Sequence, residues 1–205
     1  MGLFVCKRFW YIVLAMELLG KLFGSTNRVK LLKLFLFNPE TGFRRAEIAR
    51  RAKVSKSGLG RELRLLELIK LVKAGRETGR RKTWAFNPRF PIARELKFLL
   101  DTEFGQHRAE IGGRFKGCGR IKLLVIAGLL IGDQNGKVDL VIVGDSLRRG
   151  AIEQVVRTLE AEAGKELVYA LLETKDFSYR LESSDKFVRD LLDFPHQKLI
   201  NQLKI

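Results

Sequence analysis

The sequence predicts an α+β protein in two folded parts, and three observations carry that reading. Apolar residues fall at helical spacing in three successive segments between residues 26 and 68, and a strand, a turn and a second strand follow. Beyond residue 120 short apolar runs alternate with amphipathic ones, the pattern of a small mixed sheet with helices on one face. The charge divides along the same line. Of a net +16 over 205 residues, residues 25–100 carry 20 basic against 6 acidic side chains, net +14, whereas residues 101–205 carry 16 of each. Basic charge so concentrated is the electrostatic footprint of a polyanion binder.

Composition bounds the rest. A 46% hydrophobic share can fill a core and excludes a wholly disordered chain. Two cysteines, Cys6 and Cys118, cannot build a disulfide framework, and with only His107 and His196 a zinc site is not expected. The compartment these imply is the reducing cytosol. Phe9 to Met16 is apolar over eight residues, short of the roughly 20 that span a bilayer, so no membrane partner is expected. Lys7 and Arg8 precede it, but no small-residue cleavage site follows. The favoured reading makes residues 1–15 an upstream extension before a natural start at Met16. A membrane anchor and a helix packed on the protein body are the alternatives, and residues 1–24 are set apart as an N-terminal extension.

The elements follow in order. Thr26 to Phe37 places Val29, Leu32 and Leu36 on one helical face, with Ser25 or Thr26 as N-cap and Asn38-Pro39 as the stop. Glu47 to Ala52 is a short second helix turning Ile48 and Ala49 inward. Ser55 or Ser57 caps a third helix reaching Leu68, on which Leu59, Leu63 and Leu66 share a face. Leu71 to Glu77 and Lys82 to Phe86 are strands around the turn Thr78-Gly79-Arg80. Phe90 to Leu100 is an amphipathic helix, and Gly112 to Gly119, with four glycines, reads as a flexible connection. Neither this segment nor Gly132 to Lys137 has the pattern of a phosphate-binding loop. Strands are then expected at Lys122–Ala127, Val138–Val143 and Leu167–Leu172. Helices are expected at Arg148–Ala163 and Asp176–Leu192, before a closing segment at Lys198–Leu203.

The run AEIARRAKVSKSGLGRELRLLELIKLV with the basic hairpin KAGRETGRRKTWAFN resembles winged helix-turn-helix transcription regulators of the ArsR/MarR-like type, over residues 25–90. Lys53 and Lys70 depart from that pattern, standing where glycine usually ends the second and third helices; a side chain in a left-handed cap costs about 1 kcal/mol. The resemblance implies an N-terminal winged helix of three helices and a β-hairpin that binds double-stranded DNA, commonly as a homodimer. A recognition helix needs an apolar stripe to anchor it and a short polar face to enter the major groove. The third helix opens with Ser55, Lys56 and Ser57, and Arg61 and Arg64 follow, suited to guanine because a guanidinium fork bonds O6 and N7 together. Arg76, Arg80, Arg81 and Lys82 cluster at the hairpin, suited to phosphates or the minor groove. Arg44 and Arg45, with Arg50 and Arg51, flank the second helix and are expected to meet the DNA backbone. Ordinary solvated charge is the plainer alternative, and the coincidence of +14 with this pattern favours DNA. Residues 91–119 are taken as a linker helix and Gly-rich connection, and the helix from Phe90 to Leu100 either packs across a two-fold axis or links to the next domain.

Residues 120–205 resemble the small nucleotidyltransferase domain of the polymerase-beta type, through IAGLLIGDQNGKVDLVIVGD and LVYALLETKDFSYRLESSDKFVRDLLDFP. Active members of that family hold two magnesium ions on an Asp-x-Asp pair after a Gly-Ser turn, because residues i and i+2 of a strand share a face. Here Asp139 fits the second carboxylate, but its same-face neighbour is Lys137 and the Gly-Ser turn reads Gly128-Leu129. Val168 or Tyr169 stands at the third carboxylate. Glu166 and Glu173 need an unusual register, and Asp133 and Asp145 lie roughly 20 Å from Asp139 along an extended chain. Asp139 is expected to cap a turn or pair with Lys137. The resemblance therefore implies a degenerate domain without catalytic residues, metal or cofactor, and the whole chain reads as a sequence-specific DNA-binding regulator. An active nucleotidyltransferase recruited through its winged helix and an antitoxin-like protein with an unidentified protein partner are the alternatives.

Overall fold

In the computed structural model, residues 18–76, 82–105, 108–133 and 136–205 are described. The fold is α+β, and the chain divides into two units, Met1–Glu103 with Thr158–Glu166, and Phe104–Arg157 with Leu167–Ile205. The expected extension at residues 1–15, the turn Thr78-Gly79-Arg80, Cys6 and His107 lie outside the described residues.

The first unit is built on helix α1, Thr26–Phe37, capped by Ser25, whose Oγ accepts from the Arg28 N–H at 3.3 Å. Val29, Leu32 and Leu36 are buried as their spacing predicts, and Leu31, Leu34 and Phe35 are buried with them. A helix apolar nearly all round sits in the middle of a core, and the others pack about it. Strand β1 (Phe43–Arg44) precedes α2 (Arg45–Arg51), which buries Ile48 and is followed by α3 (Lys56–Leu68). Leu59, Leu63 and Leu66 of α3 are at most 3% exposed, each burial contributing about 2 kcal/mol. Lys53 (φ 50°) and Lys70 (φ 59°) adopt the left-handed conformation that their place after α2 and α3 foretells. In both, an i to i−5 bond closes the helix end: Val54 N–H to Ala49 O at 3.1 Å and Leu71 N–H to Leu66 O at 3.0 Å.

Strands β2 (Val72–Arg76) and β3 (Lys82–Phe86) pair antiparallel from Val72↔Phe86 to Arg76↔Lys82. The two-residue β1 adds a third strand on the far side of β3, in the order β1-β3-β2. Helix α4 (Ala93–Gly105) buries Leu96 and Leu100.

In the second unit, α5 (Arg108–Arg114) takes up the first glycines of the stretch expected to be a flexible connection, and Phe115 and Cys118 after it are buried. The glycines there let a backbone turn tightly rather than hang free: Gly117 and Gly119 have φ of 80° and 124°. Strands β4 (Arg120–Ala127), β5 (Leu140–Asp145), β6 (Tyr169–Leu172) and β7 (His196–Asn201) form one sheet in the order β6-β5-β4-β7. β5 and β6 are parallel, joined through α6 (Arg149–Ala163), and the other pairs are antiparallel. The mixed sheet is as expected, but helices do not keep to one face. Leu123, Val125, Val141 and Val143 pack with Phe177, Val188 and Leu191. Leu124, Ile126, Leu140 and Ile142, of opposite parity, are equally buried, and Gly112 of α5 lies over Leu124.

The single helix expected over Asp176–Leu192 is two, α7 (Thr174–Glu182) and α8 (Lys186–Asp193). Ser184 turns to φ 53°, and Asp185 starts α8 by accepting from the Phe187 N–H at 2.9 Å. The closing segment is strand β7, hydrogen-bonded along β4.

Candidate nucleic-acid interface

Burying Leu59, Leu63 and Leu66 fixes which side of α3 faces out. Lys56, Ser57, Arg61 and Arg64 are exposed on that side. Together with Gly60 and Glu67 they border a concave surface of about 560 Å³, closed on its flanks by Arg45 of α2 and by Lys82 and Trp84 of β3. Six residues named from the sequence thus share one groove: Arg45, Lys56, Ser57, Arg61, Arg64 and Lys82.

Local chemistry explains the arrangement. Ser55 Oγ accepts from the Gly58 N–H at 3.3 Å and lies 3.2 Å from Ser57 Oγ, so Ser55 works as the N-cap of α3. Arg45 Nη2 donates to Lys56 O at 3.3 Å, and a Cβ on Gly60 would come within 3.1 Å of that nitrogen. The bare glycine therefore leaves room for the guanidinium to lie across the start of the helix. Below the groove, Glu62 is buried and ion-paired with Arg28 Nε at 2.8 Å. A buried carboxylate held this way keeps the face carrying Arg61 in register with α1.

Lys82 is tied down. Its ammonium lies 3.1 Å from Glu67 Oε1 and 4.8 Å from the centre of the Trp84 ring, and Trp84 Nε1 donates to the same carboxylate oxygen. Glu67 and Trp84 were not singled out in the sequence; the one available signal is that Glu67 falls one turn after Arg64 on the outward face of α3. Arg51 is likewise engaged within its own unit, with Nε 3.1 Å from Glu47, Nη2 2.7 Å from Glu166 and its guanidinium carbon 5.1 Å from the centre of the Phe43 ring. It is a structural residue rather than an open phosphate contact. Arg44 is exposed on β1, ahead of α2. Arg80, Arg81 and the Arg76 side chain lie outside what is described, although the Arg76 backbone closes β2 opposite Lys82.

In the second unit, Asp139 is 7% exposed and both of its carboxylate oxygens are in use. Oδ1 accepts from the Leu129 N–H at 2.6 Å and Oδ2 from the Val168 N–H at 2.8 Å. Gly128 (φ 47°) permits this approach, since a Cβ there would fall 2.4 Å from Oδ1. Of the two roles expected for Asp139, turn capping is the one found. Lys137 reaches Asp190 at 3.2 Å instead. Among the described residues no three His, Cys, Asp or Glu side chains come together as a metal site, and no helix is long and apolar enough to cross a membrane.

No family model and no curated protein matches the sequence. Among solved structures, a cysteine-to-serine mutant of Lactococcus lactis ZitR is similar at a TM-score of 0.35 and 23% identity, over 44% of this chain and 62% of that one.

Proposed function

We propose that this chain is a sequence-specific double-stranded DNA-binding transcriptional regulator, homodimeric, with a nucleotidyltransferase-like second domain that performs no catalysis. The observation that carries the reading is the groove over α3. An amphipathic helix anchored by three buried leucines presents Lys56, Ser57, Arg61 and Arg64 outward, beside a basic hairpin, in the segment holding +14 of the net charge. This is the arrangement with which a helix-turn-helix reads a major groove. Ile92, Phe98 and Leu99, beside and on α4, are 55%, 76% and 44% exposed, an apolar face suited to a second copy of the chain.

The inactive second domain is supported by the strand order and by Asp139. A β4–turn–β5 hairpin followed by a parallel β6 suits the nucleotidyltransferase resemblance. The two-magnesium centre of that family does not fit these residues. Asp139 spends both oxygens on backbone amides, its i−2 neighbour is a lysine held by Asp190, and the Leu129 amide is turned to Asp139.

Salt-titrated binding to duplexes selected from a random library tests the reading. Neutralising about six phosphates gives a log–log salt slope of about −5. Replacing Arg80 and Arg81 together by alanine is expected to weaken binding to all sequences, and Arg61→Ala chiefly to relax specificity. Equal losses on random and selected DNA in both variants, or a salt-insensitive affinity, would refute the assignment. Light scattering of the complex reports the dimer.

A further inference from the structure

Residues 101–205 are neutral in sum, yet the fold of the second unit gathers five of their cations on one rim. Lys116, Arg120 and Lys122 lie on the stretch that leads from α5 into β4, and Arg148 and Arg149 lie where the chain leaves β5 and enters α6. The two stretches are held side by side. Arg120 stands opposite Asp145 in the β4–β5 register, and the Arg148 N–H donates to Cys118 O at 2.8 Å. Gly119 makes this approach possible, since a Cβ there would fall 2.7 Å from Ser146 O. We infer that this rim is a second DNA-binding surface, one that holds the phosphate backbone of duplex DNA without reading its bases. The inference rests on the reading of the chain as a DNA-binding regulator and adds to it a contact made by the second unit.

Charge sets the sign of the partner. Asp145 is the one carboxylate on residues 116–122 and 145–149, and Lys122 holds it at 3.0 Å, so five cations against one anion leave a net +4. Lys116, Arg120, Arg148 and Arg149 are exposed, and Lys116, Arg148 and Arg149 form no ion pair among the described residues. Glu153, one turn along α6 from Arg149, lies against Arg157 at 3.7 Å instead. The surroundings then select the class of polyanion. A surface that binds anionic lipid inserts apolar side chains, and one that binds a single strand stacks bases on aromatic rings. The large apolar side chains exposed in the second unit are Val168, Tyr179 and Phe194 among the described residues, none of them on these stretches, and Phe115, Cys118 and Ile121 are buried. What the rim offers is cationic donors, three of the five being guanidinium forks that match a phosphate's paired oxygens. Gly117 and Gly150 lie among these cations, and a Cβ on either would meet nothing within 4 Å, so the space in front of them is open to a stiff backbone.

Salt-titrated fluorescence anisotropy of the full chain on long duplexes, of selected and of random sequence, tests this. Replacing Arg148 and Arg149 together by glutamine should make the log–log salt slope shallower by about 2 and weaken both duplexes about tenfold, because each lost phosphate contact removes about 0.9 from the slope. Lys116→Gln with Arg120→Gln should do the same. Gly150→Lys adds a cation at a helical position with room for a side chain and should tighten both duplexes about threefold, a gain that misfolding cannot produce. An unchanged slope in both double variants, or no tightening in Gly150→Lys, while Arg61→Ala still relaxes specificity, overturns the second surface and leaves the reading of α3 standing. Tighter binding to phosphatidylglycerol vesicles, to single-stranded DNA or to polyglutamate than to random duplex, lost with Arg148 and Arg149, gives the rim to another partner and overturns it too. An unaltered chain that binds no duplex overturns both.

Discussion

Asp139 offers the sharpest test, because its two roles predict opposite signs. As a clasp, its carboxylate joins the Leu129 amide of the turn after β4 to the Val168 amide ahead of β6. Asp139→Ala strands both N–H groups in a site that is 7% exposed. Each orphaned buried donor costs about 1–3 kcal/mol, and a neighbouring cavity lets water reach part of the gap, so the loss should be about 3 kcal/mol. Asp139→Asn keeps one acceptor oxygen but sets an NH2 against a backbone N–H, and should cost about 2 kcal/mol. With a urea m-value of about 1–1.5 kcal/mol/M for a unit this size, the alanine variant's midpoint falls by about 2–3 M.

The measurement needs care in its probe. Trp84 belongs to the first unit, so its fluorescence does not report on the second. Far-UV circular dichroism with amide hydrogen exchange does, and the Leu129 and Val168 amides should lose protection first. A carboxylate held among others for metal binding behaves differently, since neutralising it relieves repulsion and leaves stability equal or higher. An unchanged or raised midpoint in Asp139→Asn, with Leu129 still protected, would refute the clasp.

Three further outcomes are expected. Glu67→Gln keeps an acceptor for Trp84, releases Lys82 and removes a negative charge from the groove, so DNA affinity should rise about threefold to tenfold at low salt, read by fluorescence anisotropy; unchanged affinity would mean that Lys82 plays no part. Lys70→Gly relieves a left-handed side chain at φ 59° and should stabilise the first unit by up to about 1 kcal/mol, visible as a rise in its Tm; a fall in Tm would show that the Lys70 side chain contributes more than its strain costs. Burial pushes the Cys118 thiol up from its ordinary range, against a smaller opposing pull from Arg148, so less thiolate is present at neutral pH. Mass spectrometry after iodoacetamide should therefore find Cys118 unmodified until the protein is denatured, and rapid alkylation in the native state would contradict its burial.

What the sequence made legible was local, and what it hid was set by pairing at a distance. Ser25 and Ser55 announce their helices because a cap needs only a hydroxyl and the amide three residues on. Leu59, Leu63 and Leu66 declare a buried face by spacing alone, and that face in turn fixes where Arg61 and Arg64 point. The short β1 escaped because two residues leave no periodicity, and its existence depends on Trp84 and Thr83 about forty residues later. Apolar spacing ran on through residues 183–185 and concealed the break there, although Ser-Ser-Asp before an apolar run is itself a start signal.

The same division separates the two functional questions. Arg45, Lys56, Ser57, Arg61, Arg64 and Lys82 were readable as a group because the groove over α3 is assembled largely from nearby sequence. Glu67 was not, because its meaning lies in reaching Trp84 and Lys82 across the unit. At Asp139 the sequence could show only what was missing beside it. The partners that occupy it are backbone amides, which every residue carries and no motif can mark, ten and twenty-nine positions away. A lone aspartate next to a lysine is thus ambiguous in sequence, whereas a carboxylate whose two oxygens each accept a bond from one of the chain's own amides is held in place as a clasp. That geometry, more than the lysine, is what supports our proposal of a second domain without catalysis.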